Sequence, residues 1–376
     1  GFTTTGASVI PDPGGLPHGI LFWRSFTQWI GGMGIIVLSI AILPLLGMGA
    51  VQLARAESPG PTPDRLTPRF RETAKRLWIV YVAMTIAQTV FLWVGDMNLF
   101  EAVNHTFTTL STGGFGTDST SMNAFHPYSQ WVVIVFMILA GMSFSLHYRA
   151  IRSPGVYWRT TEVRVYLGVL AFATVAMTIG TWGGPVNDVV RDSLFTASSI
   201  ITTTGFATAD FGVWTPALQI MIVGLMFIGG MAGSTAGSVK IYRHEILFEA
   251  SRVDIRRLIH PRGVFVTRIG KNPVKDTLVE AVQAFFLLYM FAFMTGSFAL
   301  AVISSLWGPN LDIVATVSAV ASSLGNVGPG LDSVGPSGNY LEVPLLGKWL
   351  LAGLMIVGRL EILPIVILFS RETWRR

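Results

Sequence analysis

Seven stretches of the chain are almost continuously apolar: residues 20–46, 77–95, 129–148, 164–182, 217–239, 279–306 and 344–369. A bilayer core about 30 Å thick takes about 20 apolar residues in a helix, so each stretch predicts a transmembrane span. The stretch Phe22–Met48 lacks a basic start and lies inside the chain, so it does not read as a signal peptide. Shorter apolar segments lie between spans, at 98–110, 187–201 and 311–323. As helices rising about 1.5 Å per residue they reach about 20 Å, too short to cross. Each carries an acid near its start, Glu101, Asp192 and Asp312, where a helix dipole favours negative charge.

Composition agrees. Only 12% of the 376 residues are charged, where soluble domains carry roughly 25%. Apolar residues make up 51%, there are 40 glycines, and mean hydropathy is +0.57. This excludes a basic nucleic-acid-binding protein, a disordered chain and a disulfide scaffold. With no Cys, thiolate chemistry and Cys-ligated metals are excluded too.

The charge of +5 is unevenly placed. Of 26 basic residues, 22 fall in segments 48–76 (Arg55 and Arg65 among them), 149–164, 240–275 and the tail with Arg371, Arg375 and Arg376. The intervening segments hold Asp12, Asp96, Glu101, Asp118, Asp188, Asp192, Asp210, Asp312, Asp332 and Glu342, with Arg191 their one basic residue. The positive-inside rule puts the basic set in the cytoplasm. Seven crossings then start outside and end inside.

A local pattern recurs in the outer segments. Thr-Thr-Thr-Gly stands at 3–6 and again at 202–205, with degenerate copies Ser-Thr-Gly at 111–113 and Leu-Gly at 324–325. Glu101, Asp192 and Asp312 precede Gly113, Gly205 and Gly325 by 12, 13 and 13 residues. The unit is span, half-helix, glycine loop, span. One such tetrapeptide would be an ordinary turn with Gly at positive φ. Four in one context predict re-entrant loops, which survive at membrane depth only when buried in protein or lining water. The intervals of 107, 92 and 120 residues between the glycines place the difference in the linkers.

Rings of backbone carbonyls can replace the hydration shell of a monovalent cation. Gly lets the backbone turn its carbonyls inward, and the half-helices end with their negative poles at the loops. None of the loops contains a carboxylate. The acidic outer segments would concentrate cations at the mouth. Two further features stand out. Arg359 sits in the last span; it reads either as a positive barrier below the ring, or as a structural group paired with Glu361 or snorkelling to the inner surface. The fifth span is interrupted by Gly229-Gly230-Met231-Ala232-Gly233-Ser234-Thr235-Ala236-Gly237-Ser238, either a close helix contact or an unwound, movable loop. The histidines show no metal-ligand spacing, and no phosphate loop or voltage-sensor pattern occurs, so the chain does not read as an enzyme.

With these residues in hand, the chain resembles the bacterial Trk/Ktr potassium transporter family, specifically its TrkH branch. The resemblance implies an all-α polytopic membrane protein with four pseudo-repeats of span, pore helix, filter loop and span around a central pore. Residues 1–48 would hold the filter loop and second span of repeat 1, 49–150 repeat 2, 151–240 repeat 3, 241–278 a cytoplasmic linker and 279–376 repeat 4. A span and a pore helix are expected ahead of Gly1, and TrkH-type proteins carry a further helix pair. The implied K⁺ filter comprises Thr3, Thr4, Thr5 and Gly6; Ser111, Thr112, Gly113 and Gly114; Thr202, Thr203, Thr204 and Gly205; and Leu324, Gly325, Asn326 and Val327. The implied gate comprises Gly229, Gly230, Gly233, Ser234, Gly237 and Arg359. Rb⁺ should substitute for K⁺, with no covalent cofactor. The family further implies a homodimer in the bacterial inner membrane with a cytoplasmic C-terminus. A cytosolic ring of TrkA-like, RCK-type subunits would carry the regulatory nucleotide. A competing reading is a secondary transporter coupling K⁺ or a small solute to H⁺ or Na⁺. Such folds are often built of inverted repeats, whereas these loops all lie on one side.

Overall fold

The computed structural model describes residues 1–42, 66–270 and 272–369. Arg55, Arg65, Lys271, Arg371, Arg375, Arg376 and the last four residues of the first expected span lie outside them. Helix α1 (His18–Ile42) is followed by α2 (Leu66–Val94), α3 (Leu99–Leu110), α4 (Pro127–Ala140), α5 (Phe144–Ala150), α6 (Val156–Arg159), α7 (Thr161–Gly180), α8 (Val186–Ile201) and α9 (Pro216–Met226). Then come α10 (Ile241–Ile259), a two-residue hairpin β1 (Arg268–Ile269) and β2 (Asn272–Pro273), α11 (Asp276–Trp307), α12 (Ile313–Gly325), α13 (Leu345–Arg359) and α14 (Leu363–Phe369).

The long apolar runs form helices because backbone groups without water partners in a bilayer must pair within their own segment. Glu72–Val94, α7 and α11 are each long and apolar enough to cross a bilayer. In α11, Leu287, Phe291, Met294 and Phe298 form an exposed stripe at helical spacing, while Phe285, Tyr289 and Leu300 face the interior. Two of the half-helices start at side-chain caps, while α8 follows Pro185 without one. In α3, Asn98 Oδ1 accepts from the Glu101 N–H at 2.9 Å and Glu101 Oε2 accepts from the Asn98 N–H at 3.1 Å, a closed capping box. In α12, Asp312 Oδ2 accepts from the Val314 N–H at 3.2 Å. Each half-helix is sandwiched between long helices: α3 between α1 and α2, α8 against α7, α12 between α11 and α13. Nearly every residue of α12 from Ala315 onward is buried.

Three expected spans are not continuous helices. The third bends by 99° between α4 and α5. There the Gly141 carbonyl accepts from the Met231 N–H at 2.8 Å, and the Phe144 N–H donates to Gly233 O at 3.1 Å, so a distant segment inserts into the ladder. The fifth stops at Met226, and the backbone is non-helical from Phe227 to Lys240. The last stops at Arg359, so Arg359 ends a helix instead of lying within one. Glu361 there takes φ 57°, and Pro364 at the second position of α14 cannot donate back into α13. Residues 241–278, expected as a linker, fold as α10 and the hairpin. Ile246, Ala250 and Val253 of α10 pack on Val274, Val279 and Val282.

Candidate functional site

The four glycine loops share one backbone conformation. Each has a left-handed residue, then one ordinary residue, then a left-handed glycine: Thr4 and Gly6 (φ 51° and 80°), Thr112 and Gly114 (54° and 71°), Thr203 and Gly205 (58° and 81°), Asn326 and Gly328 (56° and 112°). The N–H groups of Gly113, Thr204 and Val327 turn back to carbonyls five residues earlier, Thr108, Ser199 and Ser322, each at 2.8 Å. The equivalent positions are therefore Thr5, Gly113, Thr204 and Val327. This corrects the sequence register twice. The fourth loop runs Gly325-Asn326-Val327-Gly328, one residue later than expected, so Leu324 belongs to the buried end of α12. The glycine matching Gly6 and Gly205 is Gly114 in the second loop and Gly328 in the fourth, because the left-handed turn needs Gly two residues after the first left-handed position.

The loops meet head to tail. A β-carbon on Gly6 would strike the carbonyl oxygen of Gly113; on Gly114, that of Thr204; on Gly205, that of Val327; on Gly328, that of Thr5. Four carbonyls and four glycine Cα atoms thus alternate around a closed ring. A cavity beside the ring has Gly6, Gly114, Gly205 and Gly328 in its lining. Asp118 and Arg24 line it as well, so the mouth is not acidic alone. Arg24 lies over the Phe115 ring at 4.3 Å and donates to Ser8 Oγ at 3.2 Å.

Side chains hold the ring in place. Gln28 is fully buried in α1; its Nε2 donates to Gly113 O at 2.8 Å and its Oε1 accepts from the Phe115 N–H at 3.2 Å. Asn326 Nδ2 donates to Thr5 Oγ1 and to Met355 O, both at 2.9 Å, joining the fourth loop to the first and to α13. Tyr340 Oη donates to Gly328 O at 2.8 Å. Gln28 and Tyr340 were not singled out from the sequence. The available signal for Gln28 was one amide within an apolar span.

The unwound segment 227–240 is in contact with three of the four loops. Thr235 O accepts from Thr112 Oγ1 at 2.9 Å and from Arg359 Nη1 at 2.8 Å. The Gly237 N–H donates to Thr203 Oγ1 at 2.7 Å. A β-carbon on Gly237 would strike the carbonyl of Gly325. On its other side, Glu162 Oε1 accepts from the Ala232 N–H at 2.7 Å, and Lys240 Nζ donates to Ala236 O. Of the expected gate residues, Gly229, Gly230, Gly233, Ser234 and Gly237 therefore share one irregular segment with Arg359 against it. Arg359 does not pair with Glu361. Glu361 instead bonds Arg243 of α10 at 2.6 Å. Nearby on α10, outside the spans, burial pushes the Glu245 carboxyl up to about 7, with Arg164 opposing the shift.

A ring of backbone oxygens without carboxylates is suited to a dehydrated monovalent cation. Apolar spans, half-length helices and four inward loops of one conformation define a multi-pass membrane protein of the re-entrant-loop class. The chain belongs to the TrkH family, whose model, described as a cation transport protein, matches residues 1–178 and 183–375. It is 38% identical over 383 residues to the Trk system potassium uptake protein TrkH of Salmonella typhimurium, covering 100% of this chain and 78% of that protein. Identity to the TrkH of Vibrio parahaemolyticus is 40% over 384 residues, covering 99% and 77%. The crystal structure of the potassium transporter TrkH from Vibrio parahaemolyticus superposes with a TM-score of 0.88 at 36% identity, covering 100% of this chain and 77% of that one.

Proposed function

We propose that this chain takes K⁺ into the cell through a gated, channel-like pore, with Rb⁺ as a substitute. The observation that carries the reading is the closed ring in which each loop's carbonyl meets the next loop's glycine. The filter is Thr3–Gly6, Ser111–Gly114, Thr202–Gly205 and Gly325–Gly328, with oxygens from Thr5, Gly113, Thr204 and Val327 facing the ion. The gate is segment 227–240 with Arg359 beneath it. The relatives' names, which describe potassium uptake, support the choice of ion.

A head-to-tail ring requires four loops of one orientation, and this favours a pore over the inverted repeats of many coupled transporters. In the same reading the loops belong to four repeats, and the protein is a homodimer in the bacterial inner membrane with its C-terminus in the cytoplasm. A ring of nucleotide-binding subunits docks beneath it. The exposed arginines of α10, among them Arg252, Arg256 and Arg257, offer a basic surface for it.

Expression in bacteria lacking their own K⁺ uptake tests the reading. Growth at micromolar K⁺ is the expected result. Growth only at millimolar K⁺, with the protein present in the membrane, would overturn it.

A further inference from the structure

We infer that Thr203 and Thr112, two residues of the ring itself, also latch segment 227–240 in its present position, Thr203 at Gly237 and Thr112 at Thr235. The inference rests on reading the ring as a filter and the segment as its gate. Residues 231–238 form no regular secondary structure, so their backbone polar groups need outside partners when buried. The Gly237 N–H finds its partner in Thr203 Oγ1 at 2.7 Å. The Thr235 carbonyl finds two, Thr112 Oγ1 at 2.9 Å and Arg359 Nη1 at 2.8 Å. Thr112 shares its one proton with Ser111 O at 2.6 Å, so Thr203 is the firmer of the two latches. The Thr235 hydroxyl adds a bond to Leu110 O, near the end of the half-helix α3, at 2.9 Å, with Ala140 O at 3.3 Å. Thr112, Thr203 and Thr235 are all fully buried.

Movement of the segment therefore strips partners from the filter and from the segment together, and water must enter to replace them. Two of the four left-handed residues at the ring, Thr112 and Thr203, reach the segment, and a third, Asn326, reaches α13, the helix that ends in Arg359, through Met355. Filter and gate are thus one mechanical unit, and by linkage whatever favours one position of the segment also favours one state of the ring.

The chain has no Cys, so a single Ser234→Cys reports opening through its rate of modification by a hydrophilic thiol reagent. The full chain in liposomes carries this reporter alone or with Thr203→Val, Thr203→Ser or Thr235→Val. Val keeps the β-branching of Thr at φ 58°, so only the hydroxyl is lost. Thr203→Val is expected to speed labelling about fivefold, the size of one lost hydrogen bond, and to raise basal ⁸⁶Rb⁺ uptake by a similar factor. Thr203→Ser should return both to the parent values, and Thr235→Val should speed labelling from the segment's side. Thr295→Val, in a helix face away from the ring, should change neither. Unchanged labelling in both Val variants overturns the latch, even if ion selectivity shifts. Absence of K⁺-competed uptake in the parent would overturn the pore reading instead, and the labelling rates would still decide the latch.

Discussion

The carbonyl of Val327 lies so close to the Cα of Gly205 that no β-carbon fits between them. The same relation closes the ring at the other three loops. Gly205→Ala must either displace the Val327 oxygen or abandon φ 81°, and a left-handed Ala costs about 1–2 kcal/mol in any case. Selectivity for K⁺ over Na⁺ should fall roughly tenfold, about 1.4 kcal/mol of discrimination. Competition of ⁸⁶Rb⁺ uptake by the two ions measures it. Gly113→Ala should also lower selectivity, because its β-carbon strikes the buried Gln28 side chain that holds Gly113 O and the Phe115 N–H.

Arg359 places a buried guanidinium beneath the loops and donates to Thr235 O. Among the described residues its Nε and Nη2 have no hydrogen-bond partner. Arg359→Gln removes the charge and weakens the hold on segment 227–240. Basal ⁸⁶Rb⁺ uptake should rise roughly tenfold, equivalent to about 1.4 kcal/mol of barrier. Unchanged uptake would make Arg359 a purely structural group.

The Arg243–Glu361 pair ties α10 to the turn after α13. Arg243 is 1% exposed and Glu361 31%. Truncating one partner of a buried pair leaves the other charge uncompensated, at about 3–5 kcal/mol. Glu361→Gln should therefore lower the thermal unfolding midpoint of the detergent-solubilised protein by several degrees. The loss should be smaller in Arg243→Met/Glu361→Gln, where no lone charge remains.

Much of this arrangement was legible in the sequence, and the remainder failed for identifiable reasons. The half-helices α3, α8 and α12 came out within two residues because their lengths, and the caps of α3 and α12, are local properties. The bend between α4 and α5 did not, because its cause is the Met231 N–H arriving from about ninety residues away on Gly141 O. The fourth loop slipped in register because Gly325 and Gly328 both fit a glycine pattern, and Asn326 takes the left-handed position held by Thr in the other three. Gln28 was missed because its two bonds to the second loop depend on a contact across 85 residues.

Glu245 gives the pH dependence a sign. Burial raises its carboxyl from 4.5 to about 7 in the folded protein. The folded state therefore binds the proton more tightly than the unfolded chain, and stability falls as pH rises from about 4.5 through about 7. Glu245→Gln removes that penalty. The variant should melt higher than the parent at pH 8 and alike at pH 4, as read by thermal unfolding in detergent.

Uptake of ⁸⁶Rb⁺ into liposomes containing the purified protein, against an outward K⁺ gradient, tests the central claim most directly. The ring of four carbonyls predicts uptake that external K⁺ suppresses at low concentration and that Na⁺ suppresses only at far higher concentration. Equal suppression by both ions, or uptake no greater than in protein-free liposomes, would contradict it.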